Sequence, residues 1–241
     1  MKLPDWWIKE WGDQQPYAIT DCLEAMKKIP DKSVDLILTD PPYGIQIDKM
    51  GFVTSGPIKV GGAYRNDYRG TNWDSKRISV EMINEMLRIS KNQIIFGGEH
   101  YTDILAPTRC WILWDKRCCE KNSNDFADGE MAWTSFDKPT RVFRYLWYGM
   151  LQDNMLKKEE RVHPTQKPVS LFAWILENFS KPTDIILDPF LGSGTTLIAC
   201  RKTNRVGMGF EINSEYESVI RKRYMADIPN IETFESEEVK I

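Results

Sequence analysis

The chain has 241 residues, a formal net charge of −3, five cysteines and two histidines. That length builds one sizeable α/β core plus a modest insertion, and the apolar runs are strand-length, which excludes a membrane-spanning helix. Cys22, Cys110, Cys118, Cys119 and Cys200 show no CxxC spacing and few histidines to help them, so no metal site is expected and they read as reduced thiols.

The opening stretch MKLPDWWIKEW carries charges where a signal peptide needs a continuous apolar run, so a cytoplasmic protein is expected. Trp6, Trp7 and Trp11 read as a packing anchor. Tyr17 to Thr20 reads as a strand and Asp21 to Lys28 as a helix. Val34 to Thr39 (VDLILT) is a continuous apolar run, as in a strand covered on both faces. It ends in Asp40-Pro41-Pro42-Tyr43, where two prolines stop any ladder. Gly44 to Asp74 is rich in glycine, aromatics and bases and reads as a long functional loop, with residues 44–77 as a mobile segment. Arg65 and Arg69, with Lys76 and Arg77, make that region basic despite the acidic whole, and a local basic surface decides phosphate contact.

Ile78 to Ser90 has helical apolar spacing, while Gln93 to Gly97 and Cys110 to Trp114 read as strands. Residues 116–161 lack a clear period and read as an inserted segment for target recognition. Val169 to Phe179 reads as a helix with Pro168 near its first turn. Asp184 to Leu187 and Arg205 to Phe210 read as strands, Thr195 to Lys202 and Ser214 to Tyr224 as helices. The alternation predicts a single α/β domain, a mostly parallel sheet with helices on both faces. The tail after Glu232 is acidic and reads as frayed.

Two strand-end motifs carry chemistry. Asp188 to Thr196 (DPFLGSGTT) follows a strand and opens a helix, so its glycines allow a tight turn close to a ligand and the helix N-terminus offers N–H groups to a carboxylate. Glu211 ends the next strand, about twenty residues on, where an acid accepts from both hydroxyls of a ribose. The pattern is neither GxGxxG nor GxxxxGK[ST], which disfavours a dinucleotide and a triphosphate and leaves a nucleoside cofactor. At Asp40 to Tyr43, the Asp40 carboxylate and the Pro41 carbonyl are two acceptors suited to the hydrogens of an aromatic amine, a poor nucleophile until its nitrogen turns pyramidal. The prolines Pro41 and Pro42 stiffen the loop, and Tyr43 offers a face to a base lifted from a duplex.

LTDPPYG and LDPFLGSGTT, with HPTQKP (His163 to Pro168) before the second, resemble the amino-methyltransferases of DNA, in the order of their β group. The resemblance spans roughly Tyr17 to Tyr224. It implies a circularly permuted Rossmann-like, class I S-adenosylmethionine-dependent methyltransferase fold. It implies methyl transfer from S-adenosylmethionine to adenine N6 in double-stranded DNA, with S-adenosylhomocysteine as product, base flipping and no metal. DPPY rather than SPPY points to adenine; cytosine N4 is the alternative.

By the same resemblance Asp40, Pro41, Pro42 and Tyr43 are catalytic, with Asp40 also touching cofactor. Asp188, Phe190, Gly192, Ser193, Gly194 and Thr195 line the methionine side. Glu211, flanked by Ile212 and Asn213, binds ribose. Asp21 and Cys22 lie near the cofactor adenine, and Thr165 and Lys167 close over its carboxylate. His163 is expected to be structural. DNA contacts are expected from Arg65, Arg69, Lys116, Lys138, Arg141 and Arg144. A homodimer follows from the group's habit. The rivals are methylation of RNA or protein amides, which motif order disfavours, and a non-catalytic binding module, which the intact Asp40 disfavours.

Overall fold

The computed structural model describes residues 2–45, 76–118, 127–148, 151–156, 158–160, 162 and 166–226. Arg65, Arg69, His163, Thr165 and nearly all of the expected 44–77 segment lie outside them. In chain order the elements are α1 (Asp5–Trp11), β1 (Tyr17–Ile19), α2 (Cys22–Met26), β2 (Val34–Thr39), α3 (Val80–Ile89) and β3 (Ser90–Phe96). There follow β4 (Trp111–Asp115), β5 (Gly129–Thr134), β6 (Arg141–Arg144), β7 (Trp147–Tyr148) and β8 (Leu151–Gln152). The chain then forms α4 (Val169–Phe179), β9 (Ile185–Asp188), α5 (Thr195–Lys202), β10 (Val206–Glu211) and α6 (Glu217–Met225).

Local chemistry explains the helix starts. Asp21 caps α2 by accepting from the N–H groups of Leu23 and Glu24 at 2.8 and 3.1 Å, and Ser79 caps α3 by accepting from Met82 N–H. Ile83, Met86 and Ile89 recur at helical spacing along the buried face of α3.

The main sheet runs β1-β10-β9-β2-β3-β5-β4-β6, with all pairs from β1 to β3 parallel. The strand that carries the glycine turn, β9, comes late in the chain yet lies in the middle of the sheet beside β2, as a permuted order requires. Helices cover both faces. Leu36 and Leu38 of β2 pack with residues of α4 and α5, while Ile37 packs with α1, α2 and α3. A strand buried on both sides needs an unbroken apolar run, which is what VDLILT supplies.

Part of the expected inserted segment, residues 116–161, belongs to the main sheet, because β5 pairs antiparallel with both β3 and β4 and β6 pairs parallel with β4. Two strands of the main sheet, β5 and β6, fall within it. Its short strands mix glycine, charge and aromatics, so no period marked them. The β7–β8 hairpin stands outside the main sheet.

Trp7 is fully buried and its ring stacks on Phe210 of β10 with centroids 5.4 Å apart. The N-terminal helix is thus clamped to the sheet, as a packing anchor is. Trp7→Ala should cost about 3–5 kcal/mol of stability, read as a lowered urea midpoint with an unchanged slope.

Candidate active site

Two strand tips meet at one sheet edge. β2 and β9 pair in parallel, Leu36 beside Ile186 and Ile37 beside Leu187, so both chains leave the sheet in the same direction. The buried Thr39 hydroxyl donates to Asp188 Oδ1 at 2.6 Å, Phe190 N–H donates to the same oxygen at 3.0 Å, and the Thr196 hydroxyl donates to Oδ2. Asp188 therefore ties the last residue of β2 to the glycine turn and to the first turn of α5. Burial outweighs these donors and pushes its carboxyl up to about 6.

The Asp40 carboxylate is bracketed. Tyr43 Oη donates to Oδ1 and Lys167 Nζ to Oδ2, both at 2.5 Å. Lys167 Nζ also lies 2.9 Å from Glu130 Oε2, and Lys116 Nζ lies 2.6 Å from Glu130 Oε1. Four alternating charges thus run from the end of β4 to Asp40. Burial raises the Asp40 carboxyl above the ordinary carboxylate range, with Lys167 pulling the other way. Burial also opposes the charges on Lys167 and Glu130. Asp40 and Glu130 nonetheless keep the Lys167 ammonium above the usual lysine range, and Lys167 and Lys116 hold Glu130 down at about 2.

The proline loop is pinned from beneath. Tyr101, fully buried, donates its hydroxyl to the Pro42 carbonyl at 2.5 Å. The Tyr43 ring stacks on His100 with centroids 4.9 Å apart and lies against Gly97, where a Cβ would come within 2.1 Å of Tyr43 Cε1. Gly97, at φ +65°, is thus required twice over, by its backbone and by the ring. Burial, then the Asp40 charge, keep the Tyr43 hydroxyl protonated.

The glycine turn is held by its neighbours. Leu191 N–H donates to the Phe210 carbonyl at 2.8 Å, and Glu211 accepts from Gly192 N–H at 2.7 Å and from Asn213 N–H at 2.8 Å. A carboxylate has about four acceptor positions, so Glu211 retains capacity for a ligand. Gly192 and Gly194 sit at φ +54° and +82°, and a Cβ on Gly192 would meet nothing within 4 Å. Ile212 beside it is 72% exposed, an apolar surface next to a carboxylate. Thr20 N–H donates to the Glu211 carbonyl at 2.8 Å, which brings Asp21 and Cys22 alongside. Cys22 is buried in the core, and burial pushes its thiol up to about 12, so it is a small apolar residue there.

Phe190 is partly buried against the core, and the Asn213 side chain accepts from Glu215 N–H. Ser193 and Thr195 are fastened by Arg223 of α6, whose Nη1 donates to the Ser193 carbonyl at 2.7 Å, to Ser193 Oγ at 2.6 Å and to Thr195 Oγ1 at 3.3 Å.

Several expected placements change. Lys167 reaches the glycine turn only through its carbonyl, which accepts from Thr195 Oγ1 at 3.5 Å, while its ammonium is spent on Asp40 and Glu130. Lys116 points inward to Glu130 and not to a phosphate. Lys138 donates to the Asn178 carbonyl at 3.2 Å and lies over the Phe136 and Phe179 rings. Because β5 runs antiparallel, its end and Lys138 fall toward the sheet edge opposite the Asp40 tip. Arg141 and Arg144 are exposed on the outer strand β6, Arg144 within 3.7 Å of Asp115. Sequence reasoning missed Thr39, Tyr101, Glu130 and Arg223. They come from four different elements, and no local pattern marks them.

The raised Asp188 carboxyl has a pH signature. A folded value above the unfolded one favours the folded state at low pH, and that support disappears as pH rises through about 6. Asp188→Asn removes this loss. Its stability relative to the unmodified protein should therefore improve by about 3 kcal/mol between about pH 4 and well above pH 6, measured by urea unfolding across that range.

Comparison with known proteins finds similar sequences and similar folds. The N6/N4 methyltransferase family model, described as DNA methylase, matches residues 111–222. The type II methyltransferase M.HinfI of Haemophilus influenzae is 27% identical over 250 aligned residues, taking in 87% of this chain and 68% of the relative. Among solved structures, the S-adenosylmethionine complex of M1.HpyAVI superposes with a TM-score of 0.51 at 22% identity, covering 87% of this chain and 98% of that one. The cytosine-N4-specific PvuII DNA methyltransferase superposes at 0.56 and 15% identity, covering 88% and 86%. With that family model matched from β4 into α6, on a sheet of similar architecture, the chain is similar to the N6/N4 DNA methylases.

Proposed function

We propose that this chain is a DNA methyltransferase of that kind, transferring the methyl group of S-adenosylmethionine to the N6 amine of adenine in double-stranded DNA. The carrying observation is the Thr39–Asp188 hydrogen bond between the tips of β2 and β9, which sets the Asp40 loop beside the glycine turn. An amine acceptor and a nucleoside cradle then share one edge of the sheet.

The residues fit the cofactor. Open space over Gly192, the exposed apolar face of Ile212 and the spare acceptor capacity of Glu211 suit a nucleoside. In this reading Glu211 accepts from the ribose hydroxyls, Ile212 with Asp21 and Cys22 borders the adenine, and the 190–195 turn borders the methionine portion. When bound, the cofactor supplies a methyl group made electrophilic by its sulfonium. Thr165 lies outside the described residues and stays an expectation from resemblance.

The protein's own part is orientation. A base extruded from the duplex enters beside Asp40 to Tyr43. Asp40 and the Pro41 carbonyl accept from its exocyclic amine, which favours the pyramidal nitrogen of the transition state over the flat ground state. Tyr101 fixes the loop through the Pro42 carbonyl, and Pro41 and Pro42 deny it the freedom to relax. The proton released after transfer passes to solvent, with Asp40 as its first acceptor. Tyr43 stacks on the base once its hydroxyl releases Asp40. Arg141 and Arg144, on the exposed edge strand, suit phosphate contact.

Asp40→Ala should lower methyl transfer by roughly 100-fold or more while leaving cofactor binding intact, compared by labelled-methyl assay and calorimetry. Digestion of the methylated DNA should release N6-methyladenine. Release of N4-methylcytosine instead would establish the alternative amine.

A further inference from the structure

The acceptor that the proposed reaction requires is already occupied. Both Asp40 oxygens accept hydrogen bonds, one from Tyr43 and one from Lys167. Tyr43 leaves Oδ1 if its ring turns onto a base. Lys167 has no such freedom, because its side chain is 6% exposed and its ammonium cannot be handed to water. An ammonium has three donors and needs a carboxylate in reach.

Among the described residues the other carboxylate touching that ammonium is Glu130, at 2.9 Å. Glu130 is built to stay where it is. It lies on β5, in register opposite Trp114 of β4, and Lys116 just beyond β4 holds its Oε1 at 2.6 Å. The Lys116 backbone N–H bonds the Asp128 carbonyl at 2.9 Å, so both residues ride on one rigid antiparallel pair. Asp40 stands instead on a proline loop. The four charges sum to zero, and they still sum to zero if Lys167 shifts its weight toward Glu130.

We propose that Glu130 is a positioning residue that takes over the Lys167 ammonium when the base amine arrives, freeing Asp40 Oδ2 to accept from that amine. The inference rests on the reading of Asp40 as the amine acceptor. No proton changes owner between Lys167 and either carboxylate, and no bond is made or broken; one hydrogen bond replaces another. Lys116 keeps the receiving carboxylate turned toward Lys167. The charged and titratable groups that face Asp40 are Lys167 from the segment before α4, Glu130 from β5, Tyr43 from its own loop and Asp188 from β9, with Glu99 behind Tyr43.

The test uses the full chain, labelled S-adenosylmethionine and unmethylated bacterial genomic DNA, with single-turnover rates measured across pH. Glu130→Gln should slow transfer roughly 10- to 100-fold, with cofactor affinity, read by calorimetry, changed by less than about threefold. The Glu130 charge helps to raise the Asp40 carboxyl, so its removal should also move the acid limb of the rate profile to lower pH. Glu130→Asp should recover part of the rate. In a Lys167→Met background, adding Glu130→Gln should cost nothing more, because Glu130 acts through Lys167.

An unchanged rate and acid limb in Glu130→Gln would overturn the inference, as would losses that simply add. The acid limb decides even if Lys167→Met does not fold. Full activity in Asp40→Ala would instead sink the underlying reading, and that result is independent of the Glu130 series.

Discussion

Parallel pairing of β2 with β9 is the constraint on which the rest depends. Neighbouring parallel strands stand about 4.8 Å apart and point the same way. Whatever follows their last residues must therefore share one edge of the sheet. The proline loop and the glycine turn leave the sheet together, and Thr39 and Asp188 stitch them where they part. In open α/β sheets ligands bind in the crevice beyond such strand ends. The two motifs lie about 150 residues apart in the chain, yet a single ladder makes them neighbours.

A second constraint is electrostatic. Lys167 is buried and its partners Asp40 and Glu130 are half-buried, and isolated charges taken out of water are expensive. The protein offsets this by alternating signs along a row anchored at the sheet end by Lys116. Such a row is satisfied only as a unit, since removing one member leaves its neighbours uncompensated. On the proposed reading the same property makes it responsive, because an arriving amine would compete for one acceptor within a balanced set. Asp188 lies close enough for Asp40 to push it upward, after burial, so the two strand tips are coupled in charge as well as by hydrogen bonds.

Supporting residues of the site come from the whole fold. Arg223 of the last described helix fastens Ser193 and Thr195, and Tyr101 holds Pro42 from the turn after β3. Gly97 leaves the room that the Tyr43 ring fills. A loop rich in proline and glycine thus gains its rigidity from partners distant in the chain.

Elements governed by local physics were legible from the residues alone. The unbroken apolar run of β2, the periodic face of α3, the helical patterns of α4 and α5 and the two strand-end motifs all lie within short windows, and each was found where expected. Periodicity and turn chemistry act over a few residues, so a linear reading reaches them. β5 was not legible, because its place between β3 and β4 is settled by pairing with partners well away in the chain. For the same reason Lys167 reads as a cofactor-facing cation in its motif, while packing turns its ammonium onto Asp40 and Glu130. The amino-acid order alone located the two strand-end motifs for which an amine acceptor and a nucleoside cradle are proposed. Where each side chain spends its hydrogen bonds was left to long-range contacts, since burial and pairing are properties of the assembled core and not of any window of the chain.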